Sequence, residues 1–177
     1  MIHAGLRDTA SLFAARRAPV AVLGATAAAV IVIDEISKAF ALHLLPELDA
    51  GQTRFFQLGV LHNGDFAWGL SAGPESAAIS AVAALVILGL SLAVCGALAA
   101  HDRVAPVMLG LIVGAGVANA TDGLTAPMGV VDWIAVGAGG GIVVNFADVA
   151  VLVGVGLCAR TVYRLTLAIR RQHAVRR

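Results

Sequence analysis

The sequence predicts an all-α membrane protein: four transmembrane helices carrying a small strand-rich platform on one side. Three observations predict it. First, 59% of the 177 residues are hydrophobic and only 13% are charged, about half the charge of ordinary soluble domains. Second, the mean hydropathy of +0.90 is concentrated in four runs long enough to cross a hydrocarbon core, which takes about 20 residues. Third, ten of the twelve Lys and Arg residues fall on one side of those runs.

Residues 2–17, "IHAGLRDTASLFAARR", can form an amphipathic helix on the inner surface. No small-residue cleavage site follows the first apolar run convincingly, so that run reads as a retained anchor. The first span covers about 18–45 and carries "DEISK" in its second half. The outer segment 46–76 holds "TRFFQLGVLHNGDFAWGL", whose β-branched and aromatic residues and "HNGD" turn signal suit short strands. The second span, about 77–100, has no charge, and "HDRVAP" makes a tight inner turn. The third, about 104–120, is rich in Gly and Ala, which lets helices approach closely in lipid. A second outer segment, about 121–146, contains the glycine cluster Gly137–Gly141, read as a mobile loop. The fourth span covers about 147–169. The whole chain, 1–177, reads as one membrane domain without an internal repeat.

Orientation follows from the positive charges. Arg7, Arg16, Arg17, Arg103, Arg160, Arg164, Arg170, Arg171, Arg176 and Arg177 lie on one side, leaving Lys38 and Arg54. Both termini are therefore expected in the cytoplasm. Cys95 and Cys158 lie inside apolar runs and read as small buried hydrophobes. No Cys/His spacing suits a metal, the net charge of +1 says nothing about nucleic acid, and no nucleic-acid partner is expected.

Acids inside a membrane need an explanation. If Arg160 snorkels to the inner boundary, Asp148, twelve residues earlier, lies about 18 Å away along a helix. That depth puts it below the outer headgroups, where an ionised Asp costs on the order of 3 kcal/mol unless partnered or protonated. Each acid also has an ordinary reading. "NFAD" resembles a capping box with Asn145 as cap and Asp148 three residues on. Asp132 alone suits a turn or cap, and Asn119/Asp122 suits the polar end of span three. Asp34 and Lys38, four apart, can neutralise each other. Yet Asp34/Lys38, Asn63, Asn119/Asp122, Asp132 and Asn145/Asp148 all arrive at the outer end of the bundle. One polar site explains that convergence better than five unrelated caps.

These blocks, in this order, resemble the lipoprotein signal peptidase (signal peptidase II) family. "DEISK" is similar to its Asp-x-x-x-Lys. "NGDFAWG" resembles its outer-loop block, with Asn63, Ala67 and Gly69 matching, Trp68 in place of Phe and Asp65 in place of Gly. Asn119 and Asp122 match Asn-x-x-Asp-Arg, except that Gly123 stands where the family has arginine. "VVDW" resembles the block carrying one catalytic acid, Asp132, and "VNFAD" the block carrying the other, Asp148. The interval from Asp122 to Asp132 is slightly longer than in the family, and that from Asp132 to Asp148 shorter, so the chain resembles a divergent branch.

The resemblance implies an aspartyl endopeptidase of the bacterial cytoplasmic (inner) membrane, its site toward the outer face. Such an enzyme cuts the signal peptide of a lipid-modified prolipoprotein and needs no cofactor. Asp132 and Asp148 would share one proton. Asn63, Asn119 and Asn145 would act as neutral donors, Asp122 would tie the third-span loop, and Asp34/Lys38 would support the site. Trp68 and Trp133 suit the outer interface beside membrane lipids. The missing arginine keeps a weak or inactive lipoprotein-binding scaffold as an alternative. A small proton or solute carrier fits less well, because the polar residues collect at one face. Oligomeric state, membership of a larger membrane complex and any substitution of Arg54 for the missing arginine stay open at this point.

Overall fold

Seven elements follow one another: α1 (Ile2–Leu44), β1 (Phe56–Asn63), α2 (Ser76–Ala99), α3 (Ala105–Thr125), β2 (Val130–Val136), β3 (Ile142–Val144) and α4 (Phe146–Val175). The computed structural model describes residues 2–49, 54–64, 75–137 and 141–175. Among these, four helices are long and apolar enough to span a membrane: Arg17–Leu44, Ser76–Ala99, Ala105–Thr125 and Phe146–Arg171. The chain is mostly helical, with one three-stranded antiparallel sheet. That is the fold class its composition predicts.

The helices are arranged around α3, which packs against α1, α2 and α4. Half of the α3 span is buried, against 17–22% for the other three. Its small residues make this possible. A Cβ at Gly110 would stand 2.6 Å from the Leu23 carbonyl oxygen, and one at Gly114 2.6 Å from that of Ala27. Glycine is required at both places because α1 backbone occupies the space. Pro106 lies in the first turn of α3, where its missing N–H costs nothing. Three apolar clusters stack along the bundle. Leu23, Cys95, Met108 and Leu109 form one. Val30, Ala115, Ala118 and Ala147 form the next. Ala41, Val60 and Val131 join the end of α1 to the sheet.

The sheet has the order β1-β2-β3. Leu61 pairs with Asp132 and Asn63 with Val130, and the register shifts between Leu58 and Leu61. A strap after α1 braces that irregularity: Val60 N donates to Pro46 O and Leu48 N to Val60 O, both at 2.8 Å. Ile134, Ala135 and Val136 pair with Val144, Val143 and Ile142. The entry to β2 depends on Gly129, whose φ of +88° is open to glycine and strained for other residues. A Cβ there would also stand 2.3 Å from the Asn63 carbonyl oxygen.

Several expectations change. Residues 2–17 continue α1 without a break, even through Pro19, and form no separate surface helix. Helix α3 extends to Thr125, past the expected end near 120, so Asn119 and Asp122 are helical and Asp122 lies in the last turn. Thr121 and Thr125 support the added turn by bonding the carbonyls four residues back, at 2.8 and 2.7 Å. Asp132 belongs to a strand, not to a turn, and the sheet draws two of its three strands from the second outer segment. Asp65, Ala67, Trp68 and Gly69, and the centre of the 137–141 glycine cluster, lie outside the described residues.

Candidate active site

The site begins with a cation. Lys38 Nζ lies 2.5 Å from Asp34 Oδ2 and 2.6 Å from Asp122 Oδ2. The i, i+4 spacing brings Asp34 and Lys38 together on α1, and α3 supplies Asp122 across the packing made close by its glycines. Lys38 also donates to Asn119 Oδ1 at 3.1 Å. Asp122 therefore does not tie a loop, as its position in the sequence suggests; it binds the α1 lysine.

That contact orients everything above it. With its Oδ1 facing Lys38, Asn119 presents Nδ2 to Asp148 Oδ1 at 3.0 Å. The Asn119 Oδ1 also accepts from Asn145 Nδ2 at 3.0 Å. Asn145 is fully buried, and the same Nδ2 donates to Asp132 Oδ1 at 2.8 Å. Asn63 Nδ2 holds the other Asp132 oxygen at 3.1 Å, which is the diagonal neighbour expected from the Leu61–Asp132 register. The Asn119 carbonyl thus faces the cation, and the amide N–H₂ groups of Asn63, Asn119 and Asn145 each bond an acid.

The head of α4 completes the arrangement. Asp148 N donates to Asn145 Oδ1 at 2.9 Å, and Asn145 N donates to Asp148 Oδ2 at 3.0 Å. This reciprocal pair is the capping box legible in "NFAD". Asp148 is therefore both a helix cap and a member of the polar cluster. One backbone group beyond it, Ala147 N donates to Asp34 Oδ1 at 2.9 Å, so α1 also holds the helix head. Trp133 packs edge-on against Phe146, ring centroids 5.2 Å apart, and ties β2 to α4.

All four carboxylate oxygens of Asp132 and Asp148 therefore accept from neutral amide donors. Asp132 is 3% exposed. Burial pushes its carboxyl up to about 7; the Asn63 and Asn145 donors pull it down, and the nearby Asp148 charge pushes it up. Asn63, Asn119, Asp122, Asp132, Asn145, Asp148, Asp34 and Lys38 thus lie in one hydrogen-bonded network drawn from five elements. Arg54 lies before β1 and its backbone N–H donates to Gln57 Oε1. Gly123, where an arginine was expected, is partly buried, with Ala77 of α2 as its nearest neighbour.

A model of the family described as Signal peptidase (SPase) II matches residues 26–164. The chain belongs to the signal peptidase II family. The match takes in every residue of the network, from Asp34 to Asp148. Membership makes the chain an aspartic-peptidase-type protein of lipoprotein signal-peptide processing. Two solved structures share the signal peptidase II chain's fold. One, a bacterial membrane enzyme determined by the in meso method at 2.3 Å resolution, is 18% identical with a TM-score of 0.62, covering 86% of this chain and 89% of its own. The other, a bacterial membrane enzyme determined at 1.9 Å, is 20% identical with a TM-score of 0.64, covering 77% and 89%. No curated protein matches this signal peptidase II family member.

Sequence reasoning missed one polar cluster. Asp102, in the turn between α2 and α3, is 2% exposed and is held by Arg160 and Thr161 of α4. The Arg160 guanidinium meets this buried acid at the inner turn. The signal was available: the inner turn and the arginine end of span four must lie at the same membrane level.

Proposed function

We propose that this chain is a membrane aspartyl endopeptidase that removes signal peptides from lipid-modified prolipoproteins, with Asp132 and Asp148 as its catalytic pair. The observation that carries the reading is Asn145: one buried side chain and its own backbone N–H bond both acids. Two carboxylates held by one residue, with the Asp148 charge raising the Asp132 carboxyl, do not easily both stay ionised, and the pair titrates as a unit. Asp132, raised to about 7, carries the shared proton near neutral pH.

Hydrolysis then needs no covalent intermediate. The ionised carboxylate takes a proton from water as its oxygen attacks the scissile carbonyl carbon, and the protonated carboxyl gives its proton to the carbonyl oxygen. Collapse of the tetrahedral adduct breaks the C–N bond, and the amine leaves with the proton taken from water. Each proton transfer contributes about 10²–10⁴-fold. The asparagines hold both acids without adding charge. Lys38 acts at a distance, by fixing the sense of the Asn119 amide that bonds Asp148. The site faces the outer side of the bacterial inner membrane, where a lipidated precursor presents its cleavage point.

Asp132→Asn and Asp148→Asn are each expected to abolish cleavage of a lipidated precursor peptide while leaving the protein folded. Retained cleavage with either would remove the pair. A second reading, favoured by Gly123, is a family member that binds lipidated peptides without cutting them. Purified protein that binds such a peptide and leaves it intact over long incubation would establish that reading instead.

A further inference from the structure

Helix α4 carries Asn145 and Asp148 at its head, and the structure ties down its other end as well. Asp102 Oδ1 and Oδ2 accept from Arg160 Nη1 at 2.5 and 2.6 Å. Asp102 Oδ2 also accepts from the Thr161 hydroxyl at 3.0 Å, and Oδ1 from Val104 N at 3.2 Å. Burial works against the charge on Asp102, but these donors and the Arg160 cation hold its carboxyl below the usual carboxylate range. The turn between α2 and α3 thus grips two successive residues of α4.

Between the two polar levels, α4 meets its neighbours through Ala147, Ala150 and Val151 in one apolar cluster and Leu157 and Cys158 in another. Gly154 lies between them, where a Cβ would stand 2.7 Å from Ile112 Cγ1. Contacts of this kind hold the helix close without directional preference, and small axial slides of packed helices, about 1–2 Å, are a common motion. The head of α4 tolerates no such slide. Asn145 Nδ2 must reach Asn119 at 3.0 Å and Asp132 at 2.8 Å together, and a displacement of about 1 Å takes such bonds past hydrogen-bonding range.

We propose that Asp102 is a positioning residue for the site: by gripping Arg160 and Thr161 it fixes the axial position of α4, and so the placement of Asn145 and Asp148 against Asn119 and Asp132. The catalytic part of this inference rests on the proposed function; the geometric part does not. Asp148 and Arg160 are about 18 Å apart on one continuous helix, so a slide at one end appears undiminished at the other.

The test compares wild type with Asp102→Ala, Asp102→Asn and Asp102→Glu, reconstituted in nanodiscs. The Asp132 carboxyl is titrated by its protonated C=O infrared band, assigned by its loss in Asp132→Asn, and kcat and KM are measured on a lipidated precursor peptide. Asp102→Ala is expected to raise the Asp132 midpoint by about one unit, because the Asn145 donor that favours the ionised form is displaced. It is also expected to lower kcat about tenfold to a hundredfold with KM little changed. Asp102→Glu, which keeps the charge, is expected to restore both. Should Asp102→Ala fail to fold, Asp102→Asn carries the test with shifts in the same direction. An unmoved midpoint in folded Asp102→Ala or Asp102→Asn protein overturns the inference, as does a kcat loss that only tracks the folded fraction. If wild type cuts no peptide but the midpoint still moves, the positioning role stands and the peptidase reading falls.

Discussion

Asp132 is a residue whose proton affinity reports on folding as well as on chemistry. Its carboxyl has an ordinary value of 3.8 and is raised to about 7 in the folded chain. The folded state therefore holds the proton more tightly than the unfolded state does. A raised acid contributes stability that is fully present below its unfolded value and is lost as pH rises through its folded value. Between about pH 4 and about pH 7 the melting temperature of wild type is expected to fall, and this fall is expected to be smaller in Asp132→Asn. Thermal denaturation across that range checks it; equal slopes for the two proteins would mean that Asp132 titrates normally. Asp102 does not confuse the measurement, since its lowered carboxyl removes stability only at more acid pH. Asn145 is the second residue to test. Asn145→Ala deletes a helix cap and leaves buried partners unpaired, which together cost roughly 2–4 kcal/mol. A denaturation midpoint unchanged by that substitution would show that the amide network carries no stability.

At the scale of elements, the α1–α3 contact decides whether Lys38 reaches its partners. Gly110→Ala and Gly114→Ala would each press a methyl group into α1 backbone, at 2.6 Å from a carbonyl oxygen. Overpacking of this kind costs about 1–3 kcal/mol, and here it also moves Lys38 away from Asn119 and Asp122. Both substitutions are expected to lower the melting temperature and the peptidase activity together. Gly24→Ala is the control, because nothing stands within 4 Å of its Cβ position, and it is expected to lower neither. The four helices and the "NFAD" cap were legible because hydropathy and capping are local in sequence. The partners of Asp122 and the β2 and β3 strands were not. "GVVDWIAV" reads as one apolar run until β1, some seventy residues earlier, supplies its pairing. Lys38 is four residues from Asp34 in the chain, but its contact with Asp122 exists only because two glycines of α3 let the helices meet. Asp102 escaped notice for the same reason: a short polar turn has an evident local role, and its partner lies fifty-eight residues away.

For the whole molecule, the distribution of charge and the position of the site make one joint claim about direction. Among the described residues, Arg103, Arg164, Arg170 and Arg171 are exposed at one end of the bundle, whereas the sheet and the carboxylate network lie at the other. Positive charge retained on the cytoplasmic side would put the network toward the outer face, where a translocated precursor would meet it under the proposed function. Met128, in the turn before β2, is 61% exposed, and Arg170 is exposed near the end of α4. Of the native cysteines, Cys95 is buried and Cys158 half-buried, so replacing Cys158 with Ser leaves little background for thiol labelling. Met128→Cys is expected to react with a membrane-impermeant maleimide in spheroplasts. Arg170→Cys is expected to react only after the membrane is opened. The reverse pattern would put Asp132 and Asp148 on the cytoplasmic side, away from any exported substrate, and no arrangement of their hydrogen bonds would then make them a signal peptidase.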